Sequence, residues 1–203
     1  ASSQRTGRRG LLRMRQESAF EILAKPIRDA LSDLGLRTPT RPQTLAIPRI
    51  VRGKNVLLVA ATASGKTEAA LLPVLSRYLF TGSRKGIAVL YVTPLRALNR
   101  DLLIRITGLA AKLGIRCEVR HGDTPASQRR KQSRIPPDVL ITTPETLQAI
   151  LPSVSMRRHL RSVRAVIIDE IHELAQDKRG AQLTVALERL RGITRRRFQR
   201  IGL

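Results

Sequence analysis

Between an apolar stretch and a helical one the sequence places Ala60-Ala61-Thr62-Ala63-Ser64-Gly65-Lys66-Thr67. A phosphate-cradling turn presents successive backbone N–H groups and the positive end of a helix, so it needs a strand leading in and a helix leading out. Asn55–Ala60 supplies the strand and Lys66–Tyr78 the helix. In that context the segment is a Walker A phosphate loop, and it commits the chain to an α/β architecture. Lys66 is expected to reach the β- and γ-phosphates of ATP, and the Thr67 hydroxyl to ligate Mg²⁺. Thr62, Ala63, Ser64, Gly65 and Glu68 complete the expected nucleotide contacts. Two residues depart from the general pattern. Ala60 stands where the first glycine is usual, and Ala63 stands at another common glycine position, tolerable if its φ stays negative or the strain is small.

From Asn55 onward, short apolar runs alternate with helix-like stretches. The strand candidates are Asn55–Ala60, Ile87–Thr93, Arg116–His121, Asp138–Thr143, Val163–Asp169 and Gln199–Leu203. Near-continuous aliphatic runs such as Ala165–Ile168 suit strands buried on both faces. The helices expected between them are Lys66–Tyr78, Leu95–Leu113, Ala126–Ser133, Glu145–Leu151 and Gly180–Leu190, after a helical lead-in over Glu17–Leu34 and Arg41–Val51. Such alternation implies a parallel β-sheet flanked by helices on both faces. Residues 18–203 read as one domain, and residues 1–17 as a flexible basic arm. No apolar run approaches the roughly 18 residues of a membrane span. The lone Cys117 excludes an internal disulfide, which favours an intracellular setting, cytoplasmic or nucleoid-associated.

After the run Ala165–Ile168 comes Asp169-Glu170-Ile171-His172. An acidic pair at the carboxyl end of a buried parallel strand is where nucleotide chemistry occurs in open α/β sheets. Asp169 is expected to hold Mg²⁺ largely through water, and Glu170 to orient and deprotonate the attacking water. The balance of 38 Lys+Arg against 15 Asp+Glu, a net charge of +23, calls for a polyanionic partner. Most of the basic residues are arginines, which pair bidentately with phosphate; a compositional bias toward Arg is the alternative source of that preference.

Taken together, residues 61–68 and 169–172 resemble motifs I and II of the superfamily 2 DNA/RNA helicases. Thr93-Pro94-Leu95-Arg96-Ala97-Leu98-Asn99 resembles motif Ia, while Gly122-Asp123-Thr124-Pro125 and Thr142-Thr143-Pro144-Glu145 resemble the next two nucleic-acid-facing motifs. Asp169-Glu-Ile-His-Glu-Leu with Lys178-Arg179-Gly180 resembles the large helicase-related (Lhr) group. The resemblance covers about Phe20 to Leu203 and implies a RecA-like P-loop NTPase domain. It also implies that Pro94, Leu95, Arg96, Asn99, Gly122, Asp123, Thr143, Pro144 and Glu145 face the backbone of single-stranded DNA, with RNA or an RNA–DNA hybrid as further candidates. By themselves these turns read first as helix caps, and the resemblance reverses that reading. His172 is implied to couple nucleotide state to neighbouring motifs. Pro39-Thr40-Arg41-Pro42-Gln43 resembles the Q motif, in which Gln43 reads adenine and Phe20 stacks on it.

The chain stops where this family continues into motif III and a second RecA-like domain with further arginines. It is therefore expected to be a cut piece, weakly active or inactive by itself, of a protein that unwinds 3′→5′. A P-loop kinase or metabolic NTPase accounts for the phosphate loop but not for the charge or the turns. A non-catalytic nucleic-acid-binding P-loop module is favoured by Ala60 and Ala63 and opposed by intact Lys66, Thr67, Asp169 and Glu170.

Overall fold

Three of the aliphatic runs, Val89–Val92, Val139–Thr142 and Ala165–Ile168, are buried at every position. Such strands must lie between neighbours and under two layers of helix. The computed structural model describes residues 19–33, 35–61, 63–80, 86–98, 100–175 and 178–203, with Arg96 and Ala175 described by backbone alone. Its strands are β1 (Val56–Leu57), β2 (Val89–Val92), β3 (Cys117–Arg120), β4 (Val139–Thr142), β5 (Ala165–Ile168) and β6 (Gln199–Gly202). They form one parallel sheet in the order β1-β6-β5-β2-β4-β3.

The helices are α1 (Lys25–Leu31), α2 (Arg41–Val51), α3 (Lys66–Leu79), α4 (Arg100–Lys112), α5 (Ala126–Arg134), α6 (Pro144–Ile150), α7 (Val154–Leu160), α8 (Ile171–Ala175) and α9 (Lys178–Thr194). Period-two alternation sorts the strands' side chains into two cores. Tyr91, Val139, Ile141 and Ile167 pack with residues of α1 to α4, whereas Leu90, Val92, Leu140 and Val166 pack with residues of α6, α7 and α9.

All six expected strands are present, although β1 is shortened to two residues. The expected helix Leu95–Leu113 is divided into a 3₁₀ turn, Leu95–Ala97, and α4. Helices α7 and α8 were not expected. His159 on α7 has Nε2 2.9 Å from the Ser133 carbonyl oxygen. Phe20 requires a correction too. Its ring is 6% exposed and packs in the first core with Leu23 and Ile27 instead of standing ready for a base. Burying a ring of that size is worth roughly 1.5–3 kcal/mol, which decides its placement. The arm 1–17, Thr62 and Asn99 lie outside the described residues.

In a parallel sheet every strand ends at the same edge. The phosphate loop after β1 and the acidic pair after β5 therefore flank β6. The turns after β2, β4 and β3 continue the same edge as a row.

Candidate active site

Helix α3 opens at Gly65, whose φ of +83° is the left-handed conformation a glycine adopts without strain. No side chain caps this helix, so its first N–H groups remain for an anion. Ala63 has φ +57°, so of the two conditions for an alanine here the negative angle is not met and the strain must be small. An L-residue there costs about 1–2 kcal/mol. The neighbouring Thr40 holds the loop: its hydroxyl donates to the Ser64 carbonyl at 2.9 Å, and the Ser64 hydroxyl donates to the Ala61 carbonyl at 2.7 Å.

Gln43 is 1% exposed and lies against the same loop. Its Oε1 accepts from the Thr40 N–H at 3.0 Å, and its Nε2 lies 3.4 Å from the Gly65 carbonyl oxygen. Thr40 and Gln43 thereby form the capping box of α2. The left-handed angle at Gly65 restricts this position to glycine, and a Cβ there, 2.5 Å from Gln43 Nε2, would also require the Gln43 amide to shift.

A cleft of about 440 Å³ collects Ala63, Gly65, Lys66 and Thr67 from the loop, and Asp169 and Glu170 from the end of β5. Its far wall is Ala97, Asp101, Leu102 and Arg105, from the turn after β2 and the start of α4. Asp169 is 8% exposed and doubly held: Oδ2 accepts from the Tyr91 hydroxyl at 2.5 Å, and Oδ1 accepts from the Glu170 N–H at 3.0 Å. The Thr67 side chain hydrogen-bonds the same phenol. Burial, and then the Asp169 charge, push the Tyr91 hydroxyl well above the ordinary tyrosine pKa, so it stays a donor.

Glu170 carries a φ of +49°, the left-handed region again, and its Oε2 lies 3.3 Å from Nε2 of the exposed His172. Non-glycine residues held at such angles persist where the surrounding structure over-determines them. Glu68 turns to Arg105 in an ion pair, and that bond raises the guanidinium pKa further above its usual value.

Tyr91 and Arg105 were not singled out from sequence. A lone phenol inside an aliphatic strand must find a partner when buried, which was a usable signal for Tyr91. Arg105 shares one helix face with Asp101 at i,i+4 spacing, just after the motif Ia turn. Thr67 and Asp169, the pair expected at Mg²⁺, are linked through Tyr91. No cluster of three metal-ligating side chains exists among the described residues. That donor set fits Mg²⁺, which keeps several waters and takes further oxygens from phosphates.

The row of turns is built more locally. Pro94 caps the 3₁₀ turn; Pro94 is buried and Leu95 is 53% exposed. The Thr143 hydroxyl accepts from the Thr146 N–H at 3.3 Å and caps α6, and Pro144 occupies that helix's first turn. The exposed Glu145 pairs with Arg179 at 3.3 Å. Gly122 and Asp123 form an exposed turn at the end of β3, braced by Arg129, whose Nε donates to the Thr124 carbonyl at 2.7 Å. Arg129 also donates to the Gly122 carbonyl. The buried hydroxyls of Thr93 and Thr142, at the ends of β2 and β4, have no hydrogen-bond partner among the described residues.

A wholly parallel sheet with a phosphate loop after one strand and an acidic pair two strands away defines a RecA-like P-loop nucleotide-hydrolase domain. The chain belongs to the DEAD/DEAH box helicase family, whose model matches residues 40–203. It is 40% identical over 204 residues to ATP-dependent helicase Lhr-Core protein 2 of Thermococcus barophilus, an alignment covering 92% of this chain and 23% of that protein. It is 45% identical over 179 residues to the Lhr helicase/probable uracil glycosylase of Mycolicibacterium smegmatis, covering 81% of this chain and 12% of that protein. The fold matches helicase Lhr of Mycobacterium smegmatis, solved bound to ssDNA and AMP-PNP, with a TM-score of 0.79 and 41% identity over 91% of this chain and 25% of that one. The resemblance to the Lhr group thus holds, and the chain spans a quarter or less of the length of these relatives.

Proposed function

We propose that this chain is the ATP-binding RecA-like domain, residues 18–203, of an ATP-dependent nucleic-acid helicase. The observation that carries the reading is the convergence of Lys66, Thr67, Asp169 and Glu170 on one cleft. Lys66 and the N–H groups opening α3 bind the triphosphate, and Thr67 and Asp169 hold Mg²⁺, which supplies charge neutralisation between the phosphates. Glu170 accepts a proton from the attacking water, and His172 reports that carboxylate's state to its surroundings. Gln43 reads adenine once its amide turns away from Thr40 and Gly65. The turns at Pro94–Asn99, Gly122–Asp123 and Thr143–Glu145 follow the backbone of a single strand, which needs no base-reading element. Single-stranded DNA is the first candidate, with RNA or an RNA–DNA hybrid next. The complete protein translocates 3′→5′ and separates duplexes, with a second RecA-like domain completing the nucleotide site, in an intracellular setting.

The test is Mg·ATP binding and turnover, with and without single-stranded DNA, on this chain and on its Glu170→Gln and Lys66→Ala variants. Binding is expected with negligible turnover, and Lys66→Ala should weaken it by about 100-fold, the loss of charge-assisted bonds to phosphate. Failure of the unaltered chain to bind nucleotide would favour a non-catalytic nucleic-acid-binding module. DNA-stimulated turnover that disappears in Glu170→Gln would mean that a second copy completes the site.

A further inference from the structure

The charge of +23 is not spread evenly over this fold. In a parallel sheet, segments entering strands lie at one edge and segments leaving strands lie at the other. The leaving segments carry the carboxylates Asp123, Asp169 and Glu170. The entering segments carry Arg52 and Lys54 before β1, Arg161 and Arg164 before β5, and the run Arg195-Arg196-Arg197 before β6. All seven are exposed, and no salt bridge among the described residues involves any of them. Asp138, one of the carboxylates of this edge, is buried and accepts from the Arg116 N–H at 2.9 Å.

The edge is also shaped. A concavity of about 480 Å³ opens between β1 and β6, lined by Asn55, Arg191, Arg197, Gln199 and Arg200. Glu188 is shared by Arg191 at 3.4 Å and Arg200 at 3.2 Å, so one carboxylate faces two guanidinium groups. The Arg200 guanidinium lies 5.3 Å from the centre of the Phe198 ring. Helix α9 ends at Thr194, and Arg195, the first of three successive surface arginines, turns the chain at a φ of +52°. On its other side this segment adjoins the entry to β5, through the Gln199 N–H to the Arg164 carbonyl at 2.9 Å.

We propose that this strand-entry edge is a second binding surface for nucleic-acid phosphate backbone, at the far end of the sheet from the nucleotide cleft and the row of turns. Unpaired guanidinium groups crowded on one surface repel one another, and a linear polyanion relieves that repulsion while releasing its own counterions. Guanidinium forks match phosphate oxygens, and the concavity between β1 and β6 seats one phosphate among Arg191, Arg197 and Arg200. The partner engaged here is a stretch of nucleic acid outside the strand-tracking row, bound without regard to sequence or nucleotide state. The proposal does not depend on the function assigned to the row.

The experiment is fluorescence anisotropy of this chain with a labelled duplex of about 30 base pairs, from about 50 to 200 mM salt. Two variants lose the same charge: Arg195→Gln/Arg196→Gln/Arg197→Gln at the edge, and Lys25→Gln/Arg28→Gln/Arg37→Gln on the helical lead-in. The edge variant should lose about 10- to 100-fold in affinity and show a salt slope reduced by about 2–3. The lead-in variant should change affinity less than about 2-fold, and Mg·AMP-PNP should alter neither result. Arg161→Gln/Arg164→Gln, on the neighbouring strand entry, should reproduce part of the edge loss. Unchanged thermal midpoints, expected for exposed side chains, exclude unfolding as the cause. Equal losses in the edge and lead-in variants would reduce the effect to net charge and overturn the proposal, and so would an edge variant that binds like the parent. Capture of an acidic polypeptide by the edge, with no effect on duplex binding, would also overturn it.

Discussion

The phosphate-loop corner and the row of turns after β2, β4 and β3 share one edge of one sheet, yet they are held by different means. In the corner, the bonds that position functional groups join residues distant in sequence: Tyr91 to Asp169, Arg105 to Glu68, Thr40 to Ser64. The Tyr91–Asp169 bond is buried and the other two are exposed, and two of the residues beside them, Ala63 and Glu170, sit at left-handed angles. In the row, support comes chiefly from within a few residues, as in the Thr143 cap on Thr146 and the Arg129 brace on Gly122 and Thr124, with the Glu145–Arg179 ion pair as the longer-range contact. A corner built on tertiary bonds keeps its geometry when one local element moves. A row built mainly on caps has the shape of each turn set by its own residues.

The hardest test of this contrast is Tyr91→Phe, which keeps the ring and removes the donor from a buried carboxylate. It should lower stability in urea by about 1–3 kcal/mol. It should also weaken Mg·nucleotide binding while sparing metal-free nucleotide binding, as read by calorimetry with and without chelator. Equal weakening of both would mean that the phenol is a packing element alone. Thr143→Ala in the row should cost about 1 kcal/mol, the loss of one helix cap, and leave nucleotide affinity unaltered. A large effect on nucleotide affinity would show that the two regions are not separable. The smallest effect is expected from Ala63→Gly. Relief of the left-handed alanine should stabilise the chain by up to about 1 kcal/mol, offset in part by the greater freedom of an unfolded glycine.

The same contrast explains what could be read in advance. Phosphate loop, acidic pair and all six strands are local patterns, and each was legible from a few consecutive residues. Strand order is not local, so nothing in the residues before β6 announced that it would lie between β1 and β5. Tyr91 and Arg105 escaped because their roles come from partners 78 and 37 residues away. For Phe20, the resemblance to the Q motif implied a base partner, whereas the ring lies in the core formed with α1 to α4. For Gln43 the residue was found, and the structure adds that its amide is engaged by Thr40 and Gly65. Helix α7 went unseen because its exposed, arginine-rich face masked the buried pair Met156 and Leu160.

Gly202, at the end of β6, has no side chain to offer, and that is its contribution. A Cβ there would meet Leu57 Cδ1 of β1 at 3.0 Å and Ile171 Cδ1 of α8 at 3.1 Å. One of these leads into the phosphate loop and the other follows Asp169 and Glu170. The residue acts as a spacer: a position without a side chain lets the end of β1, before the phosphate loop, and the start of α8, after Asp169 and Glu170, close in on β6 together. A methyl at Gly202 would press on both of these side-chain ends at once, and each would have to give by a few tenths of an ångström.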